Sequence, residues 1–375
     1  MEYVFLNNSL ETFTLNGSGA IATHVSAVRM AAGRQGVSPL VITRADHTRP
    51  PLDDGPRLDV PPAPHTNLQI TRIMNKAART AGWQGSAGRW HAWHVRRRLM
   101  ELVSDKPRTL VLHNDPDIAD ALARAFPRDT VLHVFHNVLP HGCSREPRVR
   151  HLAVSAYLAG AVRDLAGGKG PALAPNGVDN LAFYPAASSP DPLTVSFLGR
   201  TGREKGPDLL LDALMRIERP VKGLRLLLIG SNTWTGLVPD AYQQALADRI
   251  AELERRGMLI LETGHVGRPQ VADCLRLSTV HVVPSRWEDP APLVLMEAMA
   301  SGLAIVAARS GGMPEYGGDA CLWFEKDDVE ALTRQISRLL LDAALRTDLG
   351  RRARAKAETL TWDSTWSSVR ALAEA

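Results

Sequence analysis

The sequence predicts an α/β chain of two doubly wound domains, each a parallel sheet covered by helices. Short apolar runs that read as strands alternate with amphipathic stretches that read as helices. That plan runs through the first half and repeats through the second. At 375 residues, moreover, the chain is longer than one hydrophobic core usually serves.

The first half opens with YVFLNN as a strand, IATHVSAVRMAAGRQG as a helix and SPLVIT as a strand. Thr43 to Thr66 holds many prolines and few apolar residues, which predicts a long surface loop. RTLVLHN, DIADALARAF, TVLHVFHN and HLAVSAYLAGAVRDLAG resume the alternation. APNGVDNLAFYPAASSPDP reads as a linker, with a hinge at about Pro175 to Pro192. The second half supplies strands in LTVSFLGR, LRLLLIGS, MLILETGHV, TVHVVPS and LAIVAA, and helices in GPDLLLDALMRIE and AYQQALADRIAELERRG. The tail TWDSTWSSVRALAEA is helical, and its tryptophans need a surface to pack on.

No apolar run approaches the ~20 residues of a membrane span, and MEYVFLNNSLETF lacks the basic start of a signal peptide, so a soluble, cytoplasmic protein is expected. Cys143, Cys274 and Cys321 are far apart and share no metal-ligand spacing; they read as core thiols. Between Arg72 and Arg108 nine Lys/Arg face two acids, with Trp83, Trp90 and Trp93 among them. Such a segment is either a solvated helix packed on its own domain or a peripheral contact for the membrane inner face or an anionic acceptor. No nucleic-acid motif accompanies the charge.

Three constellations sit where open parallel sheets bind ligands, beyond the C-terminal strand ends. In NGSGAIATHV, Gly17 and Gly19 lie between a strand and a helix, as a structural turn or a ligand loop. In FLGRTGREKGPDLLLDAL, Arg200 and Lys205 precede a helix N-terminus, which suits a diphosphate or, alternatively, a solvated basic loop. In SRWEDPAPLVLMEAMASG, Glu297 falls beside the buried stripe of Leu293, Met296 and Ala300, where a carboxylate needs partners. Ribose hydroxyls or neighbouring backbone would serve. Asp289 would face sugar hydroxyls, while the N–H groups near Leu293 and Val294 face phosphate.

Together these stretches resemble the retaining, nucleotide-sugar-dependent GT-B glycosyltransferases of family 4 (glycosyl transferases group 1). PNGVD with Phe183 and Pro185, GRTGREKG, and EDPAPLVLMEAMASGLAIVAARSGGMPE resemble that family's ordered signatures over nearly the whole chain, most strongly from Asn176 onward. The resemblance implies two Rossmann-like domains facing an interdomain cleft. An acceptor-binding domain would span residues 1–178, a nucleotide-sugar domain 179–361, and helix 362–375 would pack back on the first. It implies that Asp289 contacts the donor sugar and Glu297 the ribose, and that Gly264, His265 and Val266 receive the base. His136 is similar to the family's active-site histidine, while His113 and Ser155 correspond to positions on the acceptor side. Ala291 and Pro292 depart from the usual aromatic and glycine, which bears on donor identity.

The implied reaction moves a hexose-type sugar from a nucleoside diphosphate, UDP favoured, to a hydroxyl of a glycan, glycolipid or natural product. Arg200 and Lys205 would stabilise the leaving group, with no cofactor and no metal; Asp115-Pro116-Asp117 reads as a helix start rather than a metal site. The alternatives are a nucleotide-sugar epimerase or hydrolase of the same fold and a non-catalytic sugar-nucleotide-binding protein.

Overall fold

A computed structural model of the chain describes residues 2–8, 11–14, 19–61, 86–102, 104–139, 143–165, 168, 170–188, 190–218, 221–230 and 240–375, with the side chains of 86–89 set aside. It comprises two compact units, Met1–Pro175 with Trp362–Ala375, and Asn176–Thr361.

In the first unit, β1 (Glu2–Leu6), β2 (Leu40–Arg44), β3 (Arg57–Val60), β4 (Arg108–His113), β5 (Thr130–Phe135), β6 (Val149–Ala153) and β7 (Ala172–Leu173) form one sheet in the order β3-β2-β1-β4-β5-β6-β7. Every pair is parallel. Strands covered on both faces read as continuous apolar runs, and β4, RTLVLH, is buried along its whole length. Helix α1 (Ala20–Arg34) carries the chain from β1 to β2. The helix Pro116–Ala125 starts at a proline whose missing N–H costs nothing there, and it buries Ile118, Ala119, Leu122 and Ala123 along one stripe. The DPD stretch is therefore a helix start.

The second unit repeats the plan. Its strands β8 (Thr194–Leu198), β9 (Arg225–Ile229), β10 (Leu259–Glu262), β11 (Val280–Val283), β12 (Ala304–Ala308) and β13 (Cys321–Phe324) run in the order β10-β9-β8-β11-β12-β13, again all parallel. In each sheet the strand order reverses beside the first strand, between β1 and β4 and between β8 and β11. Neighbouring connections leave in opposite directions there and open a crevice at the C-terminal strand ends. The C-terminal helix Trp362–Glu374 belongs to the first unit. Its Trp366 is fully buried, edge-to-face on Tyr3 at 4.7 Å and on Phe5 at 6.3 Å between ring centroids.

Two expectations are corrected. Thr43 to Thr66 is not simply a loop: Thr43 and Arg44 end β2, and Arg57–Val60 form β3, the edge strand, with Val60 buried against the core. An edge strand tolerates flanking prolines, so proline content misled here; residues 62–66 lie outside the described set. The Pro175 to Pro192 stretch is not a free linker. From Asn176 onward it is tied to the second unit: Asn176 N donates to Tyr316 Oη (3.1 Å), Asn180 Nδ2 to Ala357 O (3.0 Å), and Arg354 Nη1 to Phe183 O (2.8 Å). Buried Phe183 anchors the same segment.

His281 lies within β11, fully buried, with Nδ1 2.9 Å from Ser196 Oγ. Burial lowers its pKa from 6.5 to about 3. Below the ordinary value the unfolded chain takes up a proton that the folded chain refuses, so stability is full above pH 6.5 and declines as pH falls toward about 3. His281→Asn should flatten that decline by up to roughly 1.4 kcal/mol per pH unit, read from urea unfolding at several pH values. An unchanged slope would show that the ring is protonated in the fold.

Candidate functional site

In the second unit the site begins at the reversal between β8 and β11. After β8, Gly199 (φ 152°) and Arg200 lead into a 3₁₀ turn, Arg203–Lys205, which ends at Gly206 (φ 72°) before the helix Pro207–Met215. Only glycine fits at 206: its φ is left-handed, and a Cβ would stand 2.0 Å from Pro284 O. The turn is locked onto the segment after β11, because Glu204 O accepts from Arg286 N (2.9 Å), Trp287 N (3.1 Å) and Ser285 Oγ (3.2 Å). Behind it Arg286 grips the Asp208 carboxylate with both Nη atoms at 2.8 Å.

This packing brings Lys205 Nζ to 3.2 Å from Asp289 Oδ2, joining two residues 84 positions apart. Glu288, the neighbouring acid, is committed elsewhere, to Gly311 N (2.7 Å) and to Lys326. Gly311 and Gly312 pass directly beneath: a Cβ at 311 would stand 2.4 Å from Asp289 O, and one at 312 would stand 2.0 Å from Pro290 O. The Gly-Gly of SGGMPE is thus a spacing requirement. Arg200 is largely exposed, 3.3 Å from Glu204.

The helix Leu293–Ala300 starts after Pro292 without a side-chain cap, so Leu293 and Val294 present the first N–H groups of the helix, which have no acceptor within it. Glu297 is 3% exposed, and its carboxylate is paired with the partly exposed guanidinium of Arg268. Arg268 is not among the residues that the sequence patterns single out. Its signal was the position directly after the Gly264-His265-Val266-Gly267 turn, where a helix begins. Gly264 takes φ 63°, and its carbonyl accepts from Gly230 N at 3.0 Å, fixing that turn to the end of β9; His265 is exposed and Val266 partly buried.

In the first unit, His113 ends β4 and His136 follows β5, both buried, with His113 Nδ1 2.9 Å from His136 Nε2. Burial first, then the neighbouring imidazoles, holds both pKa values well below 6.5, so both rings are neutral. Asn8 Nδ2 donates to His113 O (3.1 Å) across the β1/β4 reversal, and Asn114 Oδ1 accepts from His136 N (2.7 Å). His24 of α1 stacks edge-on against both rings and against Trp362, a third histidine that the sequence did not single out.

Gly17 lies outside the described residues. Gly19 precedes α1, where the anion position is taken by an internal group: the Glu11 carboxylate accepts from Ala22 N (2.9 Å), and a Cβ at Gly19 would meet it at 2.5 Å. Ser155 is fully buried and accepts from Leu158 N (3.1 Å) as a helix N-cap. Of the basic segment, Arg72 to residue 85 is outside the described set; the helix Ser86–Glu101 buries His91, Val95 and Leu99 and exposes Trp90, Trp93 and Met100. Among the described residues, no helix is long and apolar enough to cross a membrane.

The sequence profile of glycosyl transferases group 1 matches residues 183–356. A D-inositol 3-phosphate glycosyltransferase of Segniliparus rotundus is 31% identical over 204 residues, 51% of this chain and 44% of its own. A glycogen synthase of Mycobacterium tuberculosis is 31% identical over 198 residues, 52% and 45%. The match thus spans about half the length of these curated relatives. Among solved structures, the sucrose-phosphate synthase of Thermosynechococcus elongatus aligns with all of this chain and 98% of its own at TM-score 0.76 and 19% identity. Anabaena HepE, solved with UDP-glucose, aligns over 100% of both chains at TM-score 0.72 and 16% identity. The glycosyl transferases group 1 profile thus covers most of the second unit, and the chain as a whole has the two-domain GT-B fold.

Proposed function

We propose that the protein is a retaining glycosyltransferase that moves a hexose-type sugar from a nucleoside diphosphate, UDP favoured, to a hydroxyl of a glycan, glycolipid or small natural product. The observation that carries this reading is the Lys205–Asp289 pair at the β8/β11 reversal, with Glu297 in the adjoining helix. A fixed cation, a carboxylate and a helix N-terminus there suit the diphosphate and sugar of one donor. The HepE complex with UDP-glucose supports the donor class, and the names of the curated relatives support glycosyl transfer.

In this reading Arg200, Lys205 and the N–H groups of Leu293 and Val294 hold the diphosphate and stabilise its growing charge without reorganising. Asp289 bonds sugar hydroxyls, and Gly264, His265 and Val266 receive the base. Glu297 bonds the ribose, sharing or exchanging its Arg268 partner as the nucleotide arrives. The acceptor oxygen forms a bond to the anomeric carbon as the carbon–phosphate oxygen bond breaks. Its proton passes to the departing phosphate oxygen, and attack from the leaving-group side retains configuration. These cationic groups take the role of a metal, and no resident cofactor is needed. His136 is assigned to the transferred sugar, and the first unit with His113 to the acceptor. The exposed Trp90 and Trp93, with Arg97 over Trp93 at 5.7 Å, are the face proposed for peripheral contact with the membrane inner face or an anionic acceptor.

Thermal stability against UDP-, GDP-, ADP- and dTDP-sugars tests the donor. A ligand at ~100 times its Kd adds roughly 2.7 kcal/mol, so one nucleotide class should raise the Tm, and an Arg200→Ala/Lys205→Ala variant should lose the shift. His136→Ala should lower turnover at least tenfold while keeping nucleotide affinity; undiminished turnover would remove His136 from the reaction. Gly312→Ala, which drives a methyl against Pro290 O, should cost about 1–3 kcal/mol in denaturant unfolding and weaken donor binding by displacing Asp289.

A further inference from the structure

His24, His113 and His136 form a cluster in the first unit, whereas the proposed sugar transfer uses His136 and His113 only as single rings. His24 comes from α1, His113 from the end of β4 and His136 from just beyond β5, so three elements converge at the β1/β4 reversal. One ring nitrogen of each lies within 4.8 Å of the other two. The ring centroids are 4.7, 5.1 and 5.3 Å apart. Three imidazoles on a tetrahedral ion, each nitrogen about 2.0–2.1 Å from the metal, hold their nitrogens roughly 3.3 Å apart and their ring centres about 5 Å apart. The centroids already have that spacing. The His113–His136 nitrogens, at 2.9 Å, need only separate by a few tenths of an ångström.

We propose that His24, His113 and His136 bind a divalent transition metal of the zinc type, with a fourth coordination position left for water or another oxygen ligand. Three neutral imidazoles leave the ion its full charge and select a borderline cation over magnesium or calcium, which require oxygen ligands. The rings are also held in place. His113 and His136 have their backbones bonded by Asn8 and Asn114, and His24 packs on Trp362 with centroids 5.4 Å apart. A site whose ligands are already ordered loses little entropy on capturing the ion. Occupancy would take His136 away from the sugar, so zinc would inhibit transfer. That consequence rests on the glycosyltransferase reading, whereas the binding does not.

The test is titration of tag-free, metal-stripped protein with Co²⁺ and then Zn²⁺. The expected result is one equivalent of Co²⁺ with the intense visible bands of a four-coordinate ion, displaced by zinc. His24→Gln should weaken binding at least tenfold, while replacement of the exposed His47 by Gln leaves it unchanged. Zinc-edge X-ray absorption of the wild-type complex should show three imidazoles, and this arm decides the matter if His24→Gln fails to fold. Absence of stoichiometric uptake, uptake undiminished in folded His24→Gln, or fewer than three imidazoles on the ion would each overturn the site. In a working transferase assay, zinc should inhibit the wild type and spare His24→Gln. Metal uptake without any transferase activity would leave this site standing and remove the transferase reading instead.

Discussion

The second unit depends on one close approach of backbone to backbone. The turn after β8 lies against the segment after β11 because Gly206 has no side chain to strike Pro284 O, and Glu204 O then accepts from three donors of the Ser285–Trp287 segment. The charged pair at the strand reversal is placed from that contact. Lys205 meets Asp289 through it, and Arg286 closes on Asp208 behind it. From the opposite side, Gly311 and Gly312 allow a third segment to support the Asp289 backbone. Two fixed charges of opposite sign, partly shielded from water, are then held beyond the C-terminal ends of two central strands by backbone packing rather than by their own attraction. A partly exposed ion pair is worth little energetically, so it can exchange partners when a ligand arrives.

The first unit handles polarity differently. Its strand ends carry neutral imidazoles in a dry environment instead of paired ions, because desolvation disfavours the charged ring. The N-terminus of α1, a natural anion position, is filled by Glu11 from the preceding segment. The two units share strand order but differ in the chemistry at the reversal: cation and carboxylate in one, histidines in the other.

Fold class was legible because parallel strands buried on both faces leave continuous apolar runs, and helices between them leave a different period. The errors came where a local rule met a tertiary exception. Proline content argued against a strand at Arg57–Val60, yet an edge strand leaves one side of its backbone unpaired, and Val60 repays pairing by entering the core. Polar composition suggested a free linker after Pro175, but side chains distant in sequence, Tyr316 and Arg354 among them, hold that segment down.

At the site, the order of motifs marked Lys205, Asp289 and Glu297, since glycine spacing, a helix start and an acid beside an apolar stripe are local signals. The sequence by itself determined most of the strands and helices, with Arg57–Val60 an exception. Tertiary structure alone decided which charged groups meet. Arg268 reaches Glu297 across 29 residues, Lys205 reaches Asp289 across 84, and His24 comes from another element to the strand-end histidines. A side chain's partner depends on which strands lie next to each other and where their ends fall in space, and no local spacing rule carries that information.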